Sequence, residues 1–106
     1  MVDLGDRLAV AVVPVSTQLD LKAMATALRV KRVQLADPAR AARSSGYVVG
    51  GISPIGHKTP LPTVVDASAQ RHELILVSAG RRGLQVELRP GDLVVVTAGT
   101  FADVAI

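Results

Sequence analysis

The sequence contains no cysteine among its 106 residues, and this absence removes three classes of chemistry at once. Disulfide bridges, thiolate metal sites and a cysteine nucleophile all require a thiol. Aromatic residues are also scarce, with one Tyr, one Phe and no Trp. Because hydrophobic residues still make up 49% of the chain, the core must be built from Val, Leu, Ile and Ala.

Targeting and membrane signals are absent as well. The first six residues include Asp3 and Asp6 and show no basic stretch followed by an apolar run, so they do not form a signal peptide. No apolar run approaches the ~18 residues that span a bilayer. We therefore expect a cytoplasmic protein with no membrane partner, folded as one domain over residues 1–106.

The net charge of +3 is a mild basic excess. It permits contact with a phosphate backbone, but it also fits an ordinary arginine-rich surface.

Short predicted strands outnumber helices. Residue propensity and hydrophobic pattern predict strands at residues 7–15, 47–49, 63–66, 73–78, 84–88 and 101–106, with a strand or extended link at 32–36. A helix is predicted at residues 21–28 behind the N-cap Asp20, and a second begins at Asp37-Pro38 and ends at Ser44 or Ser45. Because no βαβ unit repeats regularly, the pattern predicts a mixed α/β (α+β) fold.

Few residues suit catalysis or metal binding. His57 and His72 lack metal-ligand spacing, so we predict no metal site and no cofactor. The sequence has no nucleophile elbow, P-loop or dinucleotide fingerprint, and its serines have no evident base. The catalytic residues are therefore left unassigned.

Two glycine-containing loops follow predicted strands and are the candidate binding sites. Glycine allows a backbone to approach a ligand closely, and exposed N–H groups in such loops bind anions or sugars. The residues alone favour an ordinary strand-to-loop turn for the first loop, and a solubilising hairpin turn is the alternative for the second. The candidate residues are Gly50, Gly51, Ile52, Ser53 and Pro54 in the first loop, and Ser78, Gly80, Arg81 and Gly83 in the second.

The most distinctive stretch of the chain is SGYVVGGISPIGHK at residues 45–58, together with ADP (36–38), LPTVVD (61–66) and VSAGRRGL (77–84). In these residues the chain resembles the YbaK family of bacterial Cys-tRNA(Pro) deacylases, which is related to the editing insertion of prolyl-tRNA synthetases. The resemblance covers nearly the whole chain.

The resemblance implies a barrel-like mixed sheet flanked by short helices, and a pocket for the aminoacylated 3′ end of tRNA. It assigns both glycine-containing loops to that pocket. It also favours a helix at residues 89–97, where Val94, Val95 and Val96 alone favour a strand. Many relatives carry an acidic or small polar residue at the position of Gln85, so a carboxylate role there is in doubt.

The chain also departs from the family in one important respect. Relatives begin with an N-terminal segment whose strand carries the essential lysine, and residues 1–5 align with the turn after that strand. We therefore expect an N-terminally truncated editing domain, and none of Lys22, Lys31 and Lys58 replaces the lysine.

The implied function is hydrolysis in trans of Cys-tRNA(Pro) or a similar small aminoacyl ester. The expected partners are the 3′ end of aminoacyl-tRNA and prolyl-tRNA synthetase. The alternatives are an inactive module that binds tRNA or a synthetase, and a small-molecule-binding domain. Loss of a pairing strand would also expose a sheet edge, which favours a homo-oligomer.

Overall fold

A computed structural model describes residues 1–5, 7–45, 54–55, 61–80 and 83–106, with the backbone alone at residues 43–45. Its centre is a mixed sheet of five strands in the order β3-β1-β2-β4-β7, and two further strands form a separate hairpin. The strands are β1 (Val2–Asp3), β2 (Leu8–Val12), β3 (Gln34–Leu35), β4 (Thr63–Asp66), β5 (Ile75–Ser78), β6 (Gln85–Leu88) and β7 (Thr100–Ala102). The helices are α1 (Leu21–Leu28), α2 (Pro38–Ser45) and α3 (Pro90–Thr97), with a 3-10 helix at Ala67–Arg71.

The strand directions confirm the mixed sheet. β2 runs parallel to β4, and β4 runs parallel to β7. β1 runs antiparallel to both of its neighbours, β2 and β3. The apolar sequence of β2 reflects its central place, since Leu8, Ala9 and Val10 are all buried.

Helix α1 matches its prediction at both ends. The Asp20 carboxylate accepts a hydrogen bond of 3.1 Å from the Ala23 N–H, which caps the first turn. At the other end Arg29 adopts the left-handed conformation with φ of 59°. The apolar face of the helix carries Met24 and Ala25 into the core, where both are buried.

Helix α3 settles the ambiguous segment after Arg89. Pro90 at the first helical position is already set for a helix, and it outweighs the strand preference of three consecutive valines. The chain then turns at Ala98, with φ of 53°, into Gly99. A Cβ atom on Gly99 would lie 2.8 Å from the Thr63 carbonyl oxygen, so glycine is required where α3 meets β4.

The core lies on both faces of the sheet because adjacent residues of β4 point in opposite directions. Val64 joins a cluster with Met24 and Val104 on one face. Val65 joins a smaller cluster with Val77 and Leu93 on the other. Both valines are at most 1% exposed, so β4 is the strand that ties the two halves of the core together.

The hairpin of β5 and β6 departs from one prediction. Alternating residues predicted that residues 84–88 form a half-buried strand, but Leu84 is 49% and Val86 38% exposed. Only Leu88 of β6 is partly buried, where it packs against the core cluster around Val65, and Gln85, Val86 and Glu87 are exposed. The alternation is therefore present in a strand that is mostly exposed.

Two further departures from prediction lie near the ends of the chain. Residues 1–5 were expected as a turn, but Val2–Asp3 is a strand, and the turn follows it with a 2.9 Å hydrogen bond from the Leu4 N–H to the Arg7 carbonyl. The last strand ends at Ala102 rather than at Ile106. The strand predicted at 47–49 lies outside the described residues. None of the described helices is long and apolar enough to cross a membrane.

Candidate functional site

A free edge of β2 faces the hairpin. β1 covers only the first part of β2, pairing Asp3 with Leu8 and Val2 with Ala9. On the other side the Val10 N–H donates a 2.8 Å hydrogen bond to the Pro62 carbonyl, just before β4. Because backbone groups alternate along a strand, those of Ala11 point away from β4. Beyond Ala9, no strand among the described residues covers this edge.

A groove of about 270 Å³ runs between this edge and the hairpin, and we refer to it as the edge groove. One wall is formed by residues 10–13 and Val15 of the β2 segment. The facing residues are Leu76, Val77, Ser78 and Gln85 of the hairpin, and Met1 and Pro54 complete the described lining.

Two of the predicted site residues meet in the edge groove. Pro54 comes from the first glycine-containing loop and Ser78 from the second, 24 residues later in the chain. Gly80 and Gly83 have φ of 96° and 77° at the hairpin turn, so they serve its backbone geometry and do not line the groove. The remaining predicted residues, Gly50, Gly51, Ile52, Ser53 and Arg81, lie outside the described residues, as does His57.

Sequence reasoning did not assign the β2 wall to the site. The segment is a continuous apolar strand, and that pattern indicates a core position rather than a ligand contact. This wall could have been recognised only from the strand pairing, because β1 ends opposite Ala9 and leaves the following residues of β2 uncovered by any described strand. Gln85 was considered only for a missing carboxylate, and the structure places its side chain on the groove.

The chemistry of the edge groove is that of binding and orientation. None of the described residues lining it has a charged side chain, and its polar side chains are those of Ser78 and Gln85. Further polar groups come from the backbone of Ala11, on the edge of β2 that none of the described strands covers. An apolar groove with a few fixed hydrogen-bonding groups is a typical small-molecule site.

The edge groove continues into a second hollow of about 440 Å³, which we refer to as the hairpin hollow. The two share Val12, Val13 and Gln85 among other residues, so they form one continuous depression. The hairpin hollow is mostly apolar, but its far side carries Asp66, Ser68 and His72. A ligand longer than the edge groove can extend into it.

Asp66 organises that far side. It is only 5% exposed, and its carboxylate accepts hydrogen bonds from the N–H groups of Val104 at 2.9 Å and Ala105 at 3.1 Å. The Ser68 N–H at 3.2 Å and the Ser68 hydroxyl also donate to it. Burial alone would raise the pKa of Asp66, but these hydrogen bonds hold it below its usual value. The carboxylate is thus fully engaged in structure, as a cap of the 3-10 helix and a tether for the C-terminal segment.

His72 follows the 3-10 helix and is exposed. Its backbone N–H donates to the Ala69 carbonyl at 3.1 Å, which closes that helix. Within the described ranges, no group of three or more His, Asp or Glu residues is placed to hold a metal ion.

The chain matches the family model described as the aminoacyl-tRNA editing domain over residues 1–95. It belongs to that family. A relative from Enterococcus faecalis is 42% identical over 95 residues, which cover 90% of this chain and 58% of the relative. That relative is named, provisionally, as the Cys-tRNA(Pro)/Cys-tRNA(Cys) deacylase EbsC.

Solved structures agree on the fold of this editing domain. A crystal structure provisionally described as a trans-editing enzyme for prolyl tRNA synthetase superposes with a TM-score of 0.88 at 22% identity, over 96% of this chain and 64% of that one. The hypothetical protein APE2540 superposes with a TM-score of 0.81 at 29% identity, over 91% of this chain and 63% of that one. The editing domain described here thus spans about 58% to 64% of the length of these proteins.

Proposed function

We propose that this protein hydrolyses mischarged aminoacyl-tRNA in trans, with Cys-tRNA(Pro) or a similar small aminoacyl ester as substrate. Membership of the editing-domain family and the 42% identity to the deacylase-named relative support the reaction class. The observation that carries the proposal is the edge groove, because it brings Pro54 and Ser78 from two separate loops to one apolar depression.

The groove suits the 3′ end of such a substrate. The apolar walls match an adenine ring and a small side chain, while Ser78, Gln85 and the backbone edge at Ala11 offer hydrogen bonds to the ribose and ester. A donor that reaches the ester oxygen as it gains charge accelerates hydrolysis by ~10²–10³-fold. We assign that role to the Ser78 hydroxyl or the backbone N–H of Ala11.

A cysteinyl ester needs no protein nucleophile. Its own thiol can attack the ester carbonyl, forming the S–C bond of a thiolactone while the C–O bond to the ribose breaks. The thiol proton passes to the departing ribose oxygen, and water then opens the thiolactone. Under this scheme the groove supplies orientation and electrostatic stabilisation, which fits a lining without charged side chains.

The proposed partners follow from the substrate. The protein acts on the 3′ end of aminoacyl-tRNA, works beside prolyl-tRNA synthetase and operates in the cytoplasm, where tRNA is charged. We also propose that, without substrate, it self-associates through the edge of β2 that no described strand covers, because unpaired strand edges recruit further strands. A second copy bound there would occupy the edge groove, so self-association and substrate binding would exclude each other. The exposed hairpin residue Leu76, 58% accessible on the opposite wall, adds apolar surface to that contact.

A binding module without catalysis is the second candidate. It is favoured by one observation, namely that no described lining residue of the edge groove carries a charged side chain for acid–base work. Such a module would bind tRNA or a synthetase, or a small molecule, through the same groove.

A matched pair of variants on β6 tests the groove as the substrate site. Gln85→Trp adds bulk at a residue that lines the groove, whereas Val86→Trp places the same bulk on the other face of β6, at a residue that does not line it. Binding of 3′-cysteinylamino-adenosine, whose amide resists hydrolysis, should weaken at least about tenfold in Gln85→Trp alone. Equal affinity in both folded variants would remove the edge groove from the site.

A further inference from the structure

The positive charge of this protein is unevenly distributed. Residues 1–45 hold seven of its twelve Lys and Arg residues but four of its nine Asp and Glu residues, whereas residues 46–106 hold five of each. The whole net charge of +3 therefore belongs to the first 45 residues. Between Asp20 and Asp37 the sequence has four basic residues and no acidic residue.

Three of these four residues form what we refer to as the basic patch, Arg29, Lys31 and Arg32, in the link between α1 and β3. All three are exposed. The link is held in place, because the Val30 N–H donates a 3.0 Å hydrogen bond to the Ala25 carbonyl and Val33 is buried in the core. The cationic side chains thus project from an anchored backbone.

The basic patch has no counter-charge in the described structure. The ion pair found among the described residues joins Arg40 to Asp3 at 2.6 Å. Asp3 lines the same hollow as Arg32, but its carboxylate is already held by Arg40 and by the Gly5 N–H at 2.7 Å. The C-terminal dipole of α1 accounts for one cation at Arg29, since its field fades within the last turn. It does not account for Lys31 and Arg32.

The patch lies near the edge groove. β1 connects them, because Met1 lines the groove while Leu4 and Gly5 line the hollow that contains Arg32. At ~3.3 Å per residue, this path is about 13 Å long. A macromolecule whose end occupies the groove therefore passes within reach of the patch.

We propose that Arg29, Lys31 and Arg32 bind the phosphate backbone of the duplex acceptor stem of the tRNA whose 3′ end enters the edge groove. This proposal rests on the function proposed above. Arg and Lys contacts to phosphates are independent of sequence, and they suit an enzyme that must hold a stem while reading the attached residue. The patch supplies affinity for the stem, and the groove supplies the chemistry.

The experiment compares two double charge reversals that change the net charge equally, from +3 to −1. Lys31→Glu with Arg32→Glu removes the patch, and Lys22→Glu with Arg89→Glu is the control at exposed positions elsewhere. The probes are an acceptor-stem RNA minihelix that carries no amino acid and has a single-stranded 3′ end, and the isolated 3′-cysteinylamino-adenosine. Fluorescence anisotropy at several salt concentrations gives the affinities.

We expect the patch variant to bind the minihelix at least about tenfold more weakly, with a salt slope smaller by about one to two, and to bind the adenosine analogue normally. The control should retain most of its minihelix affinity. Equal losses in the two variants, or none in the patch variant, would overturn the patch as a stem site. Failure of the native protein to bind the adenosine analogue would instead contradict the proposed function.

Discussion

Replacing Asp66 tests how the end of β4 is tied to the C-terminal segment. In Asp66→Ala the N–H groups of Val104, Ala105 and Ser68 all lose their acceptor. The segment from Val104 to Ile106 in turn holds the approach to α1, since the Asp20 N–H donates to the Val104 carbonyl at 2.7 Å. The change therefore loosens two elements as well as removing one side chain.

The cost is large relative to the stability of the chain. A buried N–H without an acceptor costs ~1–3 kcal/mol, and the Val104 N–H falls in this class because Val104 is 0% exposed. The other two donors can be partly hydrated, so we expect a total of about 3–5 kcal/mol. The total free energy of unfolding of a domain of this size is roughly 5–15 kcal/mol. Asp66→Asn keeps one acceptor oxygen but turns its amide toward the Ser68 N–H, and it should cost about 1–3 kcal/mol.

The effect depends on pH in a defined direction. The pKa of Asp66 is lower in the folded state than its ordinary value, so the ionised group stabilises the fold at pH values above the unfolded pKa of ~3.9. That stabilisation is lost as the pH falls below about 4 and through the folded pKa. The stability difference between the native protein and Asp66→Asn should therefore be constant near neutrality and shrink in acid.

Urea denaturation followed by circular dichroism between pH 7 and pH 2 measures these differences. Ser68→Ala is a useful companion, because it removes one donor to the carboxylate without orphaning the N–H groups of Val104 and Ala105. An Asp66→Ala protein within about 0.5 kcal/mol of the native protein would refute the reasoning, since that is the range of neutral surface changes. If the difference in stability between the native protein and Asp66→Asn stayed constant down to pH 2, the claim that the ionised carboxylate stabilises the fold would be refuted.

Two further predictions concern the groove and its free edge. Gly50→Val should abolish binding of the 3′-aminoacyl-adenosine analogue and leave the fold intact, because a β-branched side chain would fill the space of the ligand sugar; unchanged affinity in a folded variant would remove that loop from the site. Leu76→Lys, which adds charge to an exposed position facing the β2 edge, should convert a self-associated protein into a monomer in size-exclusion chromatography with light scattering. Detection of only monomer before the change would contradict self-association.

Local signals in the sequence predicted much of the fold. Asp20 and Asp37-Pro38 mark helix starts by capping chemistry that acts over one turn, and α1 begins and ends as predicted. Thr63–Asp66 was recognisable as a strand because of its β-branched residues. Each of these features depends on residues that are neighbours in the chain.

Long-range features were harder to predict. β1 has only two residues, and Val2 becomes a strand residue through pairing with Ala9 and Leu35, which sequence propensity does not encode. The exposure of β6 was missed because alternation reports a possible buried face, whereas burial needs another element to cover it. The places of Gln85 and the β2 wall on the groove were missed as well, because they depend on how the hairpin packs beside β2.

The predicted site residues stay predictions, although two of them share one depression. Two glycine-containing loops that follow strands suggested a pocket, and Pro54 and Ser78 from these loops both line the edge groove. The roles of Gly50, Gly51, Ile52, Ser53 and Arg81 stay predictions. Gly80 and Gly83 were chosen for ligand contact, but their positive φ values are accounted for by the hairpin turn.

Deacylation of Cys-tRNA(Pro) under single-turnover conditions tests the central claim most directly. The native protein should release cysteine from tRNA(Pro) faster than buffer alone, although slowly for an enzyme, because no described residue of the groove has a charged side chain. Val86→Trp should keep that acceleration, Gln85→Trp should lose it, and Pro-tRNA(Pro) should be spared. A native protein that binds the adenosine analogue but leaves Cys-tRNA(Pro) and other small aminoacyl-tRNAs at their spontaneous rates would contradict the enzyme and favour the binding module.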